Sequence, residues 1–158
     1  MRARPLDDAD RGWAAAKLRE LWGDIVVSRG RVHDASELPG FVAEEGGAPV
    51  GLLTYRVDGD DCEVVTIDAF PQGSGAGTAL IEAAAGAART AGCRRLWLIT
   101  TNDNLRALRF YQRRGFRLAA LHRGALDRSR ELKPSIPEVG LDGIPLRDEL
   151  ELELDLRW

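Results

Sequence analysis

The stretch of the sequence best suited to chemistry is a glycine-rich turn, residues 72–78, which lies between a short apolar run and a helical pattern. Gly73, Gly75 and Gly77 alternate with small residues, so the backbone can fold tightly and bring several N–H groups together. Converging N–H groups at the start of a helix attract anions. The turn therefore predicts a phosphate-binding loop.

The elements on either side of the turn support this interpretation. Residues 63–69 are typical of a strand that runs directly into the turn. After the turn, Gly92 can end a helix, because glycine accepts the left-handed backbone that follows a last helical turn. One buried face of that helix is predicted by apolar residues at helical spacing, namely Leu80, Ala84, Ala87, Ala88 and Ala91.

Two other phosphate-binding patterns compete for the turn, and both fit poorly. A Walker loop needs a lysine and a serine or threonine after its last glycine, whereas Gly77 is followed by Thr78 with no lysine nearby. A dinucleotide-binding turn needs a glycine where Thr78 stands, and an acidic residue where Thr100 and Thr101 end the next strand. A nucleoside triphosphatase and a dinucleotide-binding domain are therefore disfavoured.

A second motif follows one strand later and completes a family pattern. Residues 72–77 resemble the pyrophosphate loop Gln-x-x-Gly-x-Gly of the GNAT superfamily, the acyl-CoA-dependent N-acetyltransferases. Residues 104–116 resemble the later GNAT motif, Asn-x-x-Ala-x-x-Phe-Tyr-x-x-x-Gly-Phe, at every defining position. Asn104 and Tyr111 are about two helical turns apart, so they share one face with the small Ala107 between them.

The resemblance implies a fold, a reaction and a set of binding positions. GNAT proteins have an α+β fold in which a mixed, mostly antiparallel central sheet is flanked by helices, and they transfer the acetyl group of acetyl-CoA to an amine. The loop amides would bind the pyrophosphate, and the preceding strand would pair with the pantetheine arm. No metal is implied. The acetyl-CoA-binding residues expected from the resemblance are Ile67, Asp68, Ala69, Gln72, Gly73, Ser74, Gly75, Ala76, Gly77, Thr78, Asn104 and Ala107.

The resemblance also assigns catalytic positions. Tyr111 is expected to protonate the departing thiolate, because a phenol of pKa about 10 is matched to a thiol of about 8.5 or higher. Glu63 stands where several GNAT enzymes take a proton through water, and burial would raise its pKa. Asp68 is a second candidate base. His33 is another, although a histidine in a surface loop is more often solvated. A site that selects amines already in their neutral form would need no base. The alternative function is a module that binds acyl-CoA without turnover.

Composition limits the classes of protein to consider. A chain of 158 residues with 44% hydrophobic content suits one domain, residues 1–158, and its apolar runs fall short of the ~20 residues of a membrane span. With no apolar signal region, a cytoplasmic protein is expected. The net charge of −3 argues against nucleic acid as a partner. The partners that the resemblance implies are acetyl-CoA and an unidentified amine acceptor, expected to be a small molecule. Cys62 and Cys93 form no metal pattern and are expected to be reduced packing residues.

Other patterns predict the elements that position these residues. An edge strand is expected at residues 2–6, and an amphipathic helix at 10–27, capped by Asp7 or Asp8. Residues 28–40 lose the pattern and are expected to form a loop, which the GNAT resemblance places beside the acceptor site. The strand after Gly92 returns across a helix, so it should run parallel to the strand before the glycine turn. Strands are expected at 41–45, 49–57, 62–69, 94–100 and 116–122.

The C-terminal part combines an irregular segment with a strongly alternating strand. Residues 124–147 contain prolines and glycines but are too apolar for a solvated linker, so they are expected to cover the acceptor site or to form a dimer contact. Residues 149–156 alternate acidic residues with leucine. The acidic row is expected to face solvent and discourage edge pairing, and the last strands offer a surface for a homodimer.

Overall fold

A computed structural model describes residues 1–157 as a seven-stranded sheet with a separate two-stranded hairpin and four α-helices. Around the sheet the order is β1-β4-β5-β6-β7-β9-β8, and β6 with β7 is the parallel pair. The predicted α+β fold with a mixed, mostly antiparallel sheet is confirmed. The elements are β1 (Arg2–Pro5), α1 (Arg11–Trp22), β2 (Val26–Ser28), β3 (Arg31–His33), β4 (Gly40–Glu45), β5 (Ala48–Asp58), β6 (Asp61–Ala69), α2 (Ala76–Thr90), β7 (Arg95–Thr101), α3 (Leu105–Arg113), β8 (Arg117–His122), α4 (Ala125–Leu132) and β9 (Glu149–Asp155).

The central meander β4-β5-β6 is buried on both of its faces. Side chains alternate across a strand, so neighbouring residues join different parts of the core. Val42 and Leu52 belong to the cluster that contains Leu18 of α1. Ala43 and Leu53 belong to the larger cluster on the α2 side. Helices on opposite faces therefore hold β6, the strand that leads into the glycine turn, in a fixed place.

Strands β6 and β7 separate towards their carboxyl ends. Their parallel pairing runs from Asp61 with Arg95 to Val64 with Leu98 and then stops, although both strands continue. A bulge in the pairing of β5 with β6 lies at this level, and bulges bend and twist a strand. The result is a wedge-shaped opening at the carboxyl ends of two parallel strands, where open α/β sheets bind ligands.

The first helix is shorter than predicted. It ends at Trp22 because Gly23 takes a left-handed backbone, with φ of 81°, and its N–H donates to the Arg19 carbonyl. The chain then forms the β2–β3 hairpin rather than more helix. The loop predicted for residues 28–40 was therefore wrong in part, since its first residues complete this hairpin.

The segment 124–147 is more ordered than its irregular sequence indicated. It begins with α4, which buries Leu126 and Ser129. Arg130 then donates to the carbonyls of Pro137 and Leu146, which ties the following turns to the helix. An eight-residue helix gives too few repeats for its period to be recognised from sequence.

The acidic face of β9 is buried at Glu149 and Glu151, so the prediction of a solvated face was wrong for these two residues, whereas Glu153 is half-buried and Asp155 is exposed. Strand β9 lies between β7 and β8, and Glu149 and Glu151 are only 2% and 5% exposed. The β2–β3 turn covers them, and the Arg29 N–H donates to Glu149 at 3.1 Å. Glu151 pairs with Arg95 at 2.8 Å and with His122 at 3.0 Å. Buried carboxylates persist where such partners replace water.

The cysteines behave as packing residues. Cys62 and Cys93 are both buried and free. Burial raises the pKa of the Cys62 thiol to about 12, so it stays protonated at neutral pH.

Within residues 1–157, the side chains form no group of acidic residues, histidines and cysteines that could hold a metal ion. None of the helices in this range is long and apolar enough to cross a bilayer.

Candidate active site

The wedge between β6 and β7 opens into a cavity of about 540 Å³, a size typical of small-molecule sites. Strand β6 forms one wall, α3 forms another, and the glycine turn closes one end. The cavity is lined by Trp22, Val64, Val65, Ile67, Asp68, Ala69, Gln72, Gly73, Gly75, Gly77, Thr78, Leu98, Ile99, Thr100, Asn104, Arg106, Ala107, Phe110, Tyr111 and Arg114. Most of the predicted site residues thus meet at one cavity.

The glycine turn has the shape of an anion cradle. Gly73 and Gly75 adopt left-handed backbones, with φ of 82° and 90°, and Gly75 is the N-cap residue of α2. Their N–H groups donate to no other atom of residues 1–157. A Cβ placed on either glycine would meet nothing within 4 Å, so the space above the turn is open. Free N–H groups at a helix N-terminus fit the pyrophosphate of acetyl-CoA.

The cradle is held against α3 by close packing. A Cβ on Gly77 would lie 2.7 Å from Cζ of Phe110, so only glycine lets α2 approach α3 this closely. Arg114 donates to Oγ1 of Thr78 at 2.8 Å and to the Phe110 carbonyl at 2.8 Å. Its guanidinium also lies 3.6 Å from the centroid of the Phe110 ring. The start of α2 and the end of α3 therefore form one rigid support.

Helix α3 presents Asn104, Ala107 and Tyr111 to the cavity, as their spacing predicted. The Asn104 side-chain oxygen accepts the Ala107 N–H at 3.1 Å, so this asparagine caps its own helix. Its amide nitrogen donates to no other residue among those the structure describes and is available to a ligand.

The Tyr111 hydroxyl has no hydrogen-bond partner within residues 1–157, although most of the side chain is buried. Tyr111 is 8% exposed, and its ring packs between those of Phe110 and Phe116. In the described part of the chain, no side chain or carbonyl bonds to the hydroxyl. Burial raises the pKa of Tyr111 well above its usual value, and the nearby charge of Asp68 raises it further. The phenol therefore stays protonated and can donate to a group in the cavity.

Asp68 faces the cavity from β6. The Trp22 indole N–H donates to its Oδ2 at 2.6 Å. Burial raises the pKa of Asp68 above its usual value, although the Trp22 hydrogen bond and the charge of Lys17 both act to lower it. Trp22 is itself fixed, because Lys133 after α4 donates to the carbonyls of Trp22 and Ile25. The end of α1 and the end of α4 therefore set the orientation of this carboxyl.

Glu63 lies outside the cavity lining. It is 2% exposed, accepts the Ser28 hydroxyl at 2.8 Å, and has an oxygen 3.9 Å from Nε2 of His33. Burial raises the pKa of Glu63 and lowers that of His33. His33 is only 5% exposed, so the expectation of a solvated histidine was wrong. The β2–β3 hairpin, which the sequence did not indicate, packs this histidine against the sheet.

Two expected cofactor residues do not line the cavity. Ser74 accepts the Ala76 N–H at 3.4 Å, and Ala76 is fully buried beneath the turn. Conversely, the cavity is also lined by Trp22, Arg106 and Arg114, which no sequence motif indicated. The helical stripe of α1 indicated only that Trp22 packs. Nothing in the spacing of the α3 arginines distinguishes those that reach the cavity.

Splayed parallel strands followed by an anion cradle define a fold that suits a phosphate-bearing ligand, and comparison with known proteins gives the family. The chain belongs to the acetyltransferase (GNAT) family, whose family model matches residues 6–116. YdhI, an uncharacterized protein of Bacillus subtilis (strain 168), is 44% identical over 132 residues, which cover 82% of each chain.

Solved structures share the fold across almost the whole chain. A Bacillus subtilis acetyltransferase in complex with CoA has a TM-score of 0.70 at 19% identity, covering 98% of this chain and 97% of its own. The ribosomal-protein-S18-alanine N-acetyltransferase from Escherichia coli has a TM-score of 0.67 at 19% identity, covering 99% and 94%. The family and these folds support acetyl transfer from acetyl-CoA in general terms.

Proposed function

We propose that this chain transfers the acetyl group of acetyl-CoA to the amine of a small acceptor, by direct attack inside the cavity between β6 and β7. The observation that carries the proposal is the composition of that one cavity. It joins an anion cradle at one end to an unpaired phenol, Tyr111, and a half-buried carboxyl, Asp68. Phosphate binding, thiolate protonation and amine deprotonation would thus be served within one space.

The backbone of β6 supports binding of an extended cofactor arm. Beyond Val64 the edge of β6 that faces β7 has no strand partner, so its N–H and carbonyl groups are unpaired there. An amide-containing chain can pair with such an edge as an added strand. Residues Ile67 to Ala69 lie on this stretch, immediately before the cradle. The pantetheine arm would lie here and direct the thioester towards Tyr111.

Acetyl-CoA is expected to raise the melting temperature. A ligand at 100 times its dissociation constant stabilises a fold by about 2.7 kcal/mol, which is about 5 to 10 °C for a chain of this size. ATP and NAD serve as controls, because the turn matches neither of their binding patterns. Release of free CoA thiol across a panel of small amines would then identify the acceptor. The absence of any shift at saturating acetyl-CoA would contradict the proposal.

Asp68 is the carboxyl best placed to accept the amine proton, and its pH dependence tests this. Because burial raises its folded pKa above the unfolded value, ionising Asp68 costs stability as pH rises through the folded pKa. Asp68→Asn removes that cost and can keep the Trp22 hydrogen bond. Its melting temperature should therefore exceed that of the wild type increasingly as pH rises from about 4, while kcat/KM falls about 10²-fold.

Glu63→Gln is the matched comparison. Glu63 also has a raised pKa, but it does not line the cavity. This variant should gain stability with rising pH in the same way and keep the kcat/KM of the wild type. If Glu63→Gln loses activity while Asp68→Asn retains it, the base is Glu63, as the family resemblance suggested, and Asp68 has only a structural role.

A further inference from the structure

A second groove continues from the cradle end of the cavity along α3. It is lined by Thr78, Arg106, Arg109, Phe110, Arg113 and Arg114. Four of these residues, Thr78, Arg106, Phe110 and Arg114, also line the main cavity. The two spaces are therefore adjacent, and a ligand that leaves the cavity past the glycine turn enters this groove.

The groove carries positive charge that the protein itself does not neutralise. Arg106, Arg109 and Arg113 follow the helical spacing of one face and are exposed. Within residues 1–157 none of the three forms an ion pair or a hydrogen bond, and the groove lining contains no carboxylate. Burial lowers the pKa of Arg114, and the charge of Arg113 lowers it further, which shows that like charges are close together here.

The cradle itself lacks a cationic side chain. Residues 70–78 contain no lysine or arginine, so the N–H groups of the turn are its only donors of positive character. The positively charged side chains available to a phosphate-rich ligand lie on the adjacent helix α3. Arginine suits this purpose because its planar fork binds phosphate oxygens in pairs.

We propose that this groove, Arg106, Arg109 and Arg113 with the fixed Arg114, binds the 3′-phosphate on the ribose of acetyl-CoA and selects the 3′-phosphorylated cofactor over its dephosphorylated form. The inference rests on the proposed function, because the cofactor pyrophosphate must occupy the cradle for the nucleotide to reach the groove. A phosphate monoester carries about −1.5 to −2 charges at neutral pH, which complements three unpaired guanidiniums.

The test is to titrate acetyl-CoA and 3′-dephospho-acetyl-CoA calorimetrically into wild type and two triple variants. The first variant, Arg106→Gln/Arg109→Gln/Arg113→Gln, removes the charge of the groove. The control removes the same charge elsewhere, at three exposed arginines without ion pairs among the described residues, Arg117→Gln/Arg123→Gln/Arg128→Gln. Melting temperatures without ligand verify that both variants fold.

Wild type and control should bind acetyl-CoA about 10- to 100-fold more tightly than the dephosphorylated form, as expected for charge-assisted hydrogen bonds. The groove variant should bind both cofactors alike, with the wild-type affinity for the dephosphorylated one. Equal binding of both by wild type would overturn this inference alone. The inference would also be overturned if the groove variant still prefers acetyl-CoA over the dephosphorylated form, or if its affinity falls equally for both cofactors. If neither cofactor binds wild type, the proposed function is overturned as well.

Discussion

Replacing Tyr111 by phenylalanine is expected to lower kcat about 10³-fold, within the range for loss of a general acid. The hydroxyl has no protein partner and faces the cavity, so its removal leaves no group of the described protein unsatisfied. The ring still packs between Phe110 and Phe116. Acetyl-CoA affinity and melting temperature should therefore change little. Stopped-time assays of CoA thiol release, together with the thermal shift by acetyl-CoA, measure both quantities.

Tyr55→Phe is the control, since Tyr55 is the other tyrosine in the chain. Its ring stacks on Phe41 at 5.7 Å on β5, and it does not line the cavity. Turnover by this variant should match the wild type. Undiminished turnover by Tyr111→Phe would remove the proton-donor role without affecting the fold. Binding of acetyl-CoA without thiol release by wild type, across all amines, would favour a sensor module instead.

The two groups of the proposed proton path, Tyr111 and Asp68, differ in protonation state. The pKa of Tyr111 rises and keeps a proton available, while Asp68 can still ionise because the Trp22 hydrogen bond and the charge of Lys17 oppose its burial. A thiolate leaving into the same desolvated space loses hydration too, so its own pKa rises towards that of the phenol. The pair therefore suits a reaction that takes a proton on one side and returns one on the other.

Local features of this fold could be predicted from the sequence, because short-range spacing determines them. The glycine turn, the start of α2 and the face shared by Asn104 and Tyr111 need only helical geometry and the properties of glycine. The parallel relation of β6 and β7 followed from the handedness of crossover connections. Each of these features lies within about 40 residues of chain.

Features that depend on distant partners could not be predicted. The alternation in β9 showed two faces but not what covers the acidic one, because Arg29 lies 120 residues away from Glu149. Lys133 stabilises the end of α1 from 108 residues beyond Ile25, and no pattern in either segment indicates this contact. Glu63 and His33 were assigned separately, although the hairpin brings them to 3.9 Å. Only the assembled sheet decides which carboxyl reaches the cavity.

Replacing Gly75 by valine is expected to abolish acetyl-CoA binding. Gly75 has a φ of 90° and borders the cavity where the phosphates would lie, so a branched side chain would both strain the turn and fill the cradle. Gly92→Val is the matched control at the opposite end of α2. It has a similar φ of 80° and the same open surroundings, but does not line the cavity.

Backbone strain alone should cost each variant about 1 to 2 kcal/mol and lower both melting temperatures similarly. The two variants differ in response to acetyl-CoA, which should still raise the melting temperature of Gly92→Val by several degrees but leave that of Gly75→Val unchanged. Loss of the shift in both variants would mean that backbone strain propagates through α2, so that the effect of filling the cradle could not be separated from the effect of strain. A full shift in Gly75→Val would place the cofactor phosphates somewhere other than this turn, because no valine could share the space with them.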